Sequence, residues 1–194
     1  MRRIKTIKEN DKSKRRNQFI VSGILIVIML FSIVGYGFID DSNPNGNEIQ
    51  TTILNYNNFQ FLEQNGFWIL SSSPGTFFSY NPTEVESITS VNLKDITNYQ
   101  GEILYLVLED PIAEQELRNN LNSYAQKIES VCLEGFPCEN NLPLKSCDDK
   151  VISLQISEEN SIVQEDNCVF IKAKKGETVK VVDEFLFKIL GVKE

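Results

Sequence analysis

The residues with the most chemistry to offer are four cysteines, Cys132, Cys138, Cys147 and Cys168. They lie in one stretch of the C-terminal half, and an even set outside a membrane reads as two disulfides. Three pairings are possible. Cys132–Cys138 with Cys147–Cys168 is favoured, because the first closes a small loop holding Gly135 and Pro137 and the second pins a long loop to a strand. A bridge spanning about 20 residues stabilises by roughly 3 kcal/mol through loop entropy. A four-cysteine zinc site brings its ligands in close pairs such as C-x2-C, and the chain has none. A thiol oxidoreductase uses C-x-x-C at a helix start. Cys132 is expected instead at a helix end, where the dipole disfavours a thiolate. No metal and no cofactor is expected.

The chain has no histidine. Ser-His-Asp triads, Cys-His dyads and histidine relays are therefore excluded within it. The acidic pairs Glu109-Asp110, Asp148-Asp149, Glu158-Glu159, Glu165-Asp166 and Asp183-Glu184 are sequence neighbours, which point apart on helices and strands. Asp183 is the exception of interest. On a helix over about 178–190, Val179, Val182, Leu186 and Leu190 form a stripe, and Asp183 falls on its edge as a candidate buried acid. A carboxylate there needs a partner: an ion pair with Arg118 or Lys172, or loop amides. No residue is assigned as catalytic.

The elements that must position these groups are read from pattern. Asn58–Phe61, Phe67–Leu70 and Thr76–Tyr80 read as strands around the turn Gln64-Asn65-Gly66. Asn81-Pro82-Thr83-Glu84 predicts a short helix with a capping box. The run 103–108 (ILYLVL) reads as a central strand. Asp110-Pro111 opens a helix expected to reach about Val131, with Leu117, Leu121, Tyr124, Ala125 and Ile128 on one face. Val151–Ile156 is a strand, 161–163 and 168–171 form a hairpin, and Gly191 ends the last helix. The expected class is α+β, one domain over 51–194 with a mixed sheet and packed helices.

That domain is expected outside a membrane. Residues 19–39 (FIVSGILIVIMLFSIVGYGFI) hold no charge over 21 positions. At about 1.5 Å per residue they span roughly 30 Å, one hydrocarbon core. The run is longer than a signal-peptide core and lacks an A-x-A site, so an uncleaved signal-anchor helix is expected. Residues 1–16 carry eight Lys or Arg against two acids, a net +6 that leaves −14 for the rest of a chain of net charge −8. The positive-inside rule then keeps the arm 1–18 in the cytoplasm, where it can lie on anionic lipid, and puts the C-terminal domain outside. The linker 40–50 is turn-rich, with Asn-Pro and Asn-Gly. A domain near −14 is a poor fit to nucleic acid.

The segments 77–85 (FFSYNPTEV), 167–171 (NCVFI) and 182–192 (VDEFLFKILGV) resemble small uncharacterised, single-pass membrane-anchored proteins of archaea with reduced genomes. The resemblance covers most of the outer domain. It implies the architecture and no activity. A second resemblance is to archaeal type IV pilins, carried by Lys14-Arg15-Arg16-Asn17-Gln18-Phe19 before an apolar helix. Asn17 stands where those pilins usually have Gly, Ala or Ser before the cut. The functional expectation is a non-enzymatic binding or structural domain at the cell surface, meeting an unidentified protein or envelope partner. The alternatives are a pilin-like filament subunit and an enzyme using carboxylates without histidine.

Overall fold

Two asparagine-led turns start the fold. In the computed structural model, β1 (Ile53–Tyr56) and β2 (Phe59–Gln64) flank Asn57-Asn58, and β2 and β3 (Phe67–Leu70) flank Asn65-Gly66. All four turn residues have positive φ (44°, 67°, 54° and 80°), as tight two-residue hairpins favour. β4 (Phe77–Phe78) completes a four-stranded antiparallel meander in chain order. The structure describes residues 52–73, 75–138 and 141–194. The arm, the expected span 19–39 and the linker lie outside the described residues. The chain divides into two units, Met1–Ile49 and Gln50–Glu194. Among the described residues no helix is long and apolar enough to cross a membrane.

The second sheet has six strands: β5 (Ser90–Val91), β6 (Ile103–Leu108), β7 (Lys127–Ser130), β10 (Lys150–Ile156), β11 (Ser161–Glu165) and β12 (Cys168–Ala173). Their order is β5-β11-β12-β10-β6-β7. β12, β10, β6 and β7 run parallel, and β11 turns back antiparallel to β12. A small parallel pair, β8 (Cys132–Leu133) with β9 (Leu144–Lys145), stands apart. Among the described residues the α-helices are α1 (Pro111–Leu121) and α2 (Thr178–Ile189). The class is α+β with a mixed sheet and two disulfides.

The six-stranded sheet is covered on both faces, which explains the unbroken apolar run of β6. On one face Leu104, Leu106, Ile152, Leu154, Val169 and Ile171 pack with α1, α2 and the meander. Phe187 of α2 meets Phe61 of β2 and Phe78 of β4 at ring distances of 5.8 and 4.5 Å. On the other face Tyr105, Val131, Leu133, Val151 and Cys168 form a smaller cluster under the cysteine loop. Because α2 touches both the meander and β12, its burial goes well beyond one stripe: Val181, Val182, Phe185, Leu186, Phe187 and Ile189 are all inside. It ends at Gly191 (φ 73°) in a Schellman arrangement, with Gly191 N–H donating to Lys188 O (3.0 Å) and Val192 N–H to Phe187 O (2.8 Å).

Two expected helices are corrected. The box at Asn81 forms, for Thr83 N–H donates to Asn81 Oδ1 and Asn81 N–H to Glu84 Oε2, both at 2.8 Å. No helix follows it. The helix from Asp110 is capped as expected, with Ile112 N–H donating to Asp110 Oδ1 at 2.9 Å, but ends at Leu121. Lys127–Ser130 leaves it to become edge strand β7, paired to β6. Cys132 therefore sits in a strand, not at a helix end.

Candidate functional site

The cysteine loop forms the lid of the second sheet face. The structure bonds Cys132 to Cys138 (Cα–Cα 5.7 Å) and Cys147 to Cys168 (Cα–Cα 5.1 Å), the pairing the spacing favours. The first bridge folds Phe136-Pro137 back toward β8. The second fixes the loop to the first residue of β12. Phe136 stacks on Phe170 of β12 at 5.8 Å between rings. Lys145 lies 4.1 Å above the Tyr105 ring. Among the described residues no three Cys, Asp or Glu side chains come together as a metal site would need.

Under one end of that lid lies a groove of about 680 Å³, within the size range of small-ligand pockets. It runs past the carboxyl ends of the parallel strands β6, β7 and β10, the position where open α/β sheets place their ligands. Leu106, Leu108, Phe136 and Leu142 give it apolar walls, and Glu109, Glu114, Ser130 and Gln155 are its polar groups.

Glu114 and Ser130 belong to a tight cluster with Arg118. The guanidinium donates to Glu114 Oε1 from Nε and Nη2, both 2.7 Å, to Ser130 Oγ at 2.6 Å, and to the Ile128 carbonyl at 3.1 Å. Ser130 Oγ donates in turn to Glu114 Oε1 at 3.1 Å. A serine beside a carboxylate suggests an activated nucleophile. Here the carboxylate already accepts two guanidinium N–H groups and Arg118 cannot take a proton. The cluster braces β7 against α1 and covers a carbonyl on the sheet edge.

Asp183 is fully buried, and its partners are other than Arg118 or Lys172. Arg118 is occupied at the brace, and Lys172 is exposed on β12. Instead the Tyr80 N–H donates to Asp183 Oδ2 at 2.8 Å. The other neighbour is Glu116 of α1, whose oxygens accept from Ser79 N–H (2.9 Å) and Ser79 Oγ (3.0 Å). Burial first, then the charge of Glu116 and a hydrogen bond to it, hold the Asp183 carboxyl well above the usual aspartate range, against the pull of the Tyr80 and Ser79 amides. Among the described residues Asp183 Oδ1 accepts no hydrogen bond, so the neutral carboxyl is the form that burial beside Glu116 favours.

One turn along α1, Asn120 accepts from Phe77 N–H at 2.8 Å and donates to Phe77 O at 2.7 Å. Three polar side chains thus run along the open edge of β4 as a neighbouring strand would. Glu116 and Asn120 were overlooked in the sequence. Both fall beside Ala113, Leu117 and Leu121 at helical spacing, so a polar residue on that stripe was the available signal.

A second buried cluster went unseen too. Glu184, beside Asp183 but turned away from it, meets Lys193 at 2.6 Å and Lys188 at 3.7 Å and accepts from Ile88 N–H at 3.2 Å. Lys193 donates further to Pro82 O and Val85 O at 3.4 and 3.3 Å. Neither Asp183, Glu116 nor Glu184 lines the groove. Comparison with protein-family models, with curated proteins and with solved structures finds no match to this chain.

Proposed function

We propose that the chain is a single-pass membrane protein whose domain 51–194 stands outside the cell as a non-enzymatic binding domain. In this reading residues 19–39 hold it in the bilayer, the arm 1–18 stays in the cytoplasm on anionic lipid, and the groove meets a protein or envelope partner. The archaeal resemblance enters as architecture only.

The observation that supports a binding role is the groove itself. It has apolar walls and an exposed acid, Glu109, while Asp183, the carboxyl that burial perturbs, is sealed in the core away from it. The paired cysteines fit an oxidising compartment.

Two measurements test the reading. The intact mass of membrane-extracted protein, alkylated with and without reduction, is expected to give an uncleaved chain with all four cysteines protected. Loss of residues 1–17 would make it a filament subunit, and thiols that react without reduction would sink the extracytoplasmic assignment. A photo-crosslinker at Leu142, on the groove wall, is then expected to give a discrete adduct in intact cells that the same probe at Glu102, at the opposite strand end, does not. Equal labelling from both positions would remove the groove from the proposal.

A further inference from the structure

Among the described residues the outer face of the meander is largely apolar, bears no charged side chain of its own and stands open, with Phe77 at one edge bordering a hollow that Arg118 and Lys127 also line. Phe61, Leu70 and Phe78 point inward, so strand alternation assigns Ile53, Asn55, Gln60, Leu62, Gln64, Phe67, Ile69 and Phe77 to the opposite face. The register aligns four of these directly across the strands: Ile53 opposite Leu62, Leu62 opposite Ile69, Ile69 opposite Phe77. Phe67 stands beside them. Ile53 is 56% exposed, Phe67 47% and Phe77 41%. No Asp, Glu, Lys or Arg lies among the eight, in a chain whose residues beyond the basic arm sum to −14.

We infer that this face rests on the lipid surface of the membrane in which the chain is anchored. The inference rests on the anchored reading of residues 19–39 and adds a second contact to it. Three observations favour lipid over other occupants. The first is reach. Thirteen residues separate the end of the span at Ile39 from Ile53, and at no more than about 3.6 Å per residue they hold β1 within roughly 47 Å of the bilayer. β1 is both the strand nearest the tether and part of the stripe.

The second is charge. A face without ionised side chains is the one that costs least to bring out of water into a headgroup layer. Isoleucine, leucine and phenylalanine side chains ringed by Asn and Gln are the composition that can enter the headgroup boundary.

The third is size. Four strands of 4, 6, 4 and 2 residues, spaced about 4.8 Å apart, cover roughly 260 Å². A stable pair of proteins buries about 800 Å² on each partner. The face is too small to hold a second copy by itself, but adequate for a surface contact that a covalent tether already makes local.

The test uses the full chain in phosphatidylcholine vesicles whose acyl chains carry bromine near the glycerol. Trp68 is the only tryptophan and lies on the inward side, so it can be replaced by phenylalanine and a reporter moved outward. In the Trp68→Phe background, Phe77→Trp and, separately, Phe67→Trp are expected to lose emission in brominated vesicles relative to unbrominated ones, whereas the unsubstituted chain does not. Two reporter positions guard against one variant failing to fold, which intact disulfides would check.

Flotation after an alkaline wash separates the two readings. A chain that washes off removes the anchor, and the docking with it. A chain that stays while both reporters ignore the bromines and yield to aqueous acrylamide overturns the docking and leaves the anchor. Reporters shielded from bromine and acrylamide alike would mean a second copy covers the face, which also overturns it.

Discussion

Asp183 and Glu184 are neighbours on one helix, both with no exposed surface, and they are buried by opposite means. Glu184 faces two lysines and a backbone amide. Asp183 faces another acid and, among the described residues, no cation. The first arrangement keeps a charge inside by neutralising it. The second pushes the carboxyl toward its neutral form. Because successive residues on a helix point about 100° apart, α2 can do both in adjacent positions. Glu184 ties the loop 82–88 to the C-terminal residues, and Asp183 ties Tyr80, just after β4, to α2. Both hold the meander side of the domain to its helices.

The comparison breaks most sharply at Lys193. Removing one member of a buried pair leaves a charge without its partner, typically at about 3–5 kcal/mol. Lys193→Met is expected to lose stability on that scale, because Lys188 lies more than 1 Å farther from Glu184 than Lys193 does and the carbonyls of Pro82 and Val85 lose their donor. Unfolding in detergent, followed through Trp68, measures it. Adding Glu184→Gln to that variant should recover much of the loss. If the double variant is as weak as the single, the lysine works through its carbonyl contacts, and the contrast with Asp183 is wrong.

On the other side, Glu116→Ala removes the acceptor of Ser79 N–H and Ser79 Oγ. An orphaned buried donor costs about 1–3 kcal/mol. Part of that is returned, because the charge that raises Asp183 goes with it. The expected loss is therefore at the lower end, about 1 kcal/mol, and smaller than that of Lys193→Met. A larger loss would show that Glu116 acts mainly as the edge partner of β4 and hardly at all as a like charge.

Much of the fold can be read along the chain where one local signal decides. Asn65-Gly66 set a hairpin, Asp110-Pro111 started α1, Gly191 ended α2, and cysteine spacing favoured the pairing found. β1 was missed although Asn57-Asn58 offered the same turn chemistry as Asn65-Gly66. The helical spacing of Tyr124, Ala125 and Ile128 misled, because pairing with β6 outweighs local propensity for an edge segment of four residues.

At Asn81 the reason is physical and distant. The box forms, but the Pro82 and Val85 carbonyls accept from Lys193, and the Ile88 amide goes to Glu184. Partners about a hundred residues away replace the i to i+4 bonds of a helix. The clamp of Asn120, Glu116 and Asp183 on residues 77–80 is equally non-local, and no window of sequence contains both halves of it. The groove needs the ends of three strands and a loop at once, which no motif announces.

The smallest effect is also the most specific to this contrast, the pH dependence carried by Asp183. In the unfolded chain its carboxyl titrates near 4, as an ordinary aspartate does. In the folded chain it keeps its proton to higher pH. Between those two values the unfolded state releases a proton that the folded state retains. Stability from this group is therefore complete below the ordinary aspartate range and declines as pH rises toward the folded value. Asp110 acts with the opposite sign, since the Thr178 hydroxyl holds its carboxyl below the usual range, so the parent profile mixes the two. The informative quantity is the difference between the parent and Asp183→Asn. The amide can still accept from Tyr80 N–H and donate to Glu116, and it does not titrate. The variant is expected to match the parent near pH 4 and to gain on it steadily as the pH is raised, in melting temperatures followed through Trp68. Parallel profiles would mean that Asp183 ionises alike in both states.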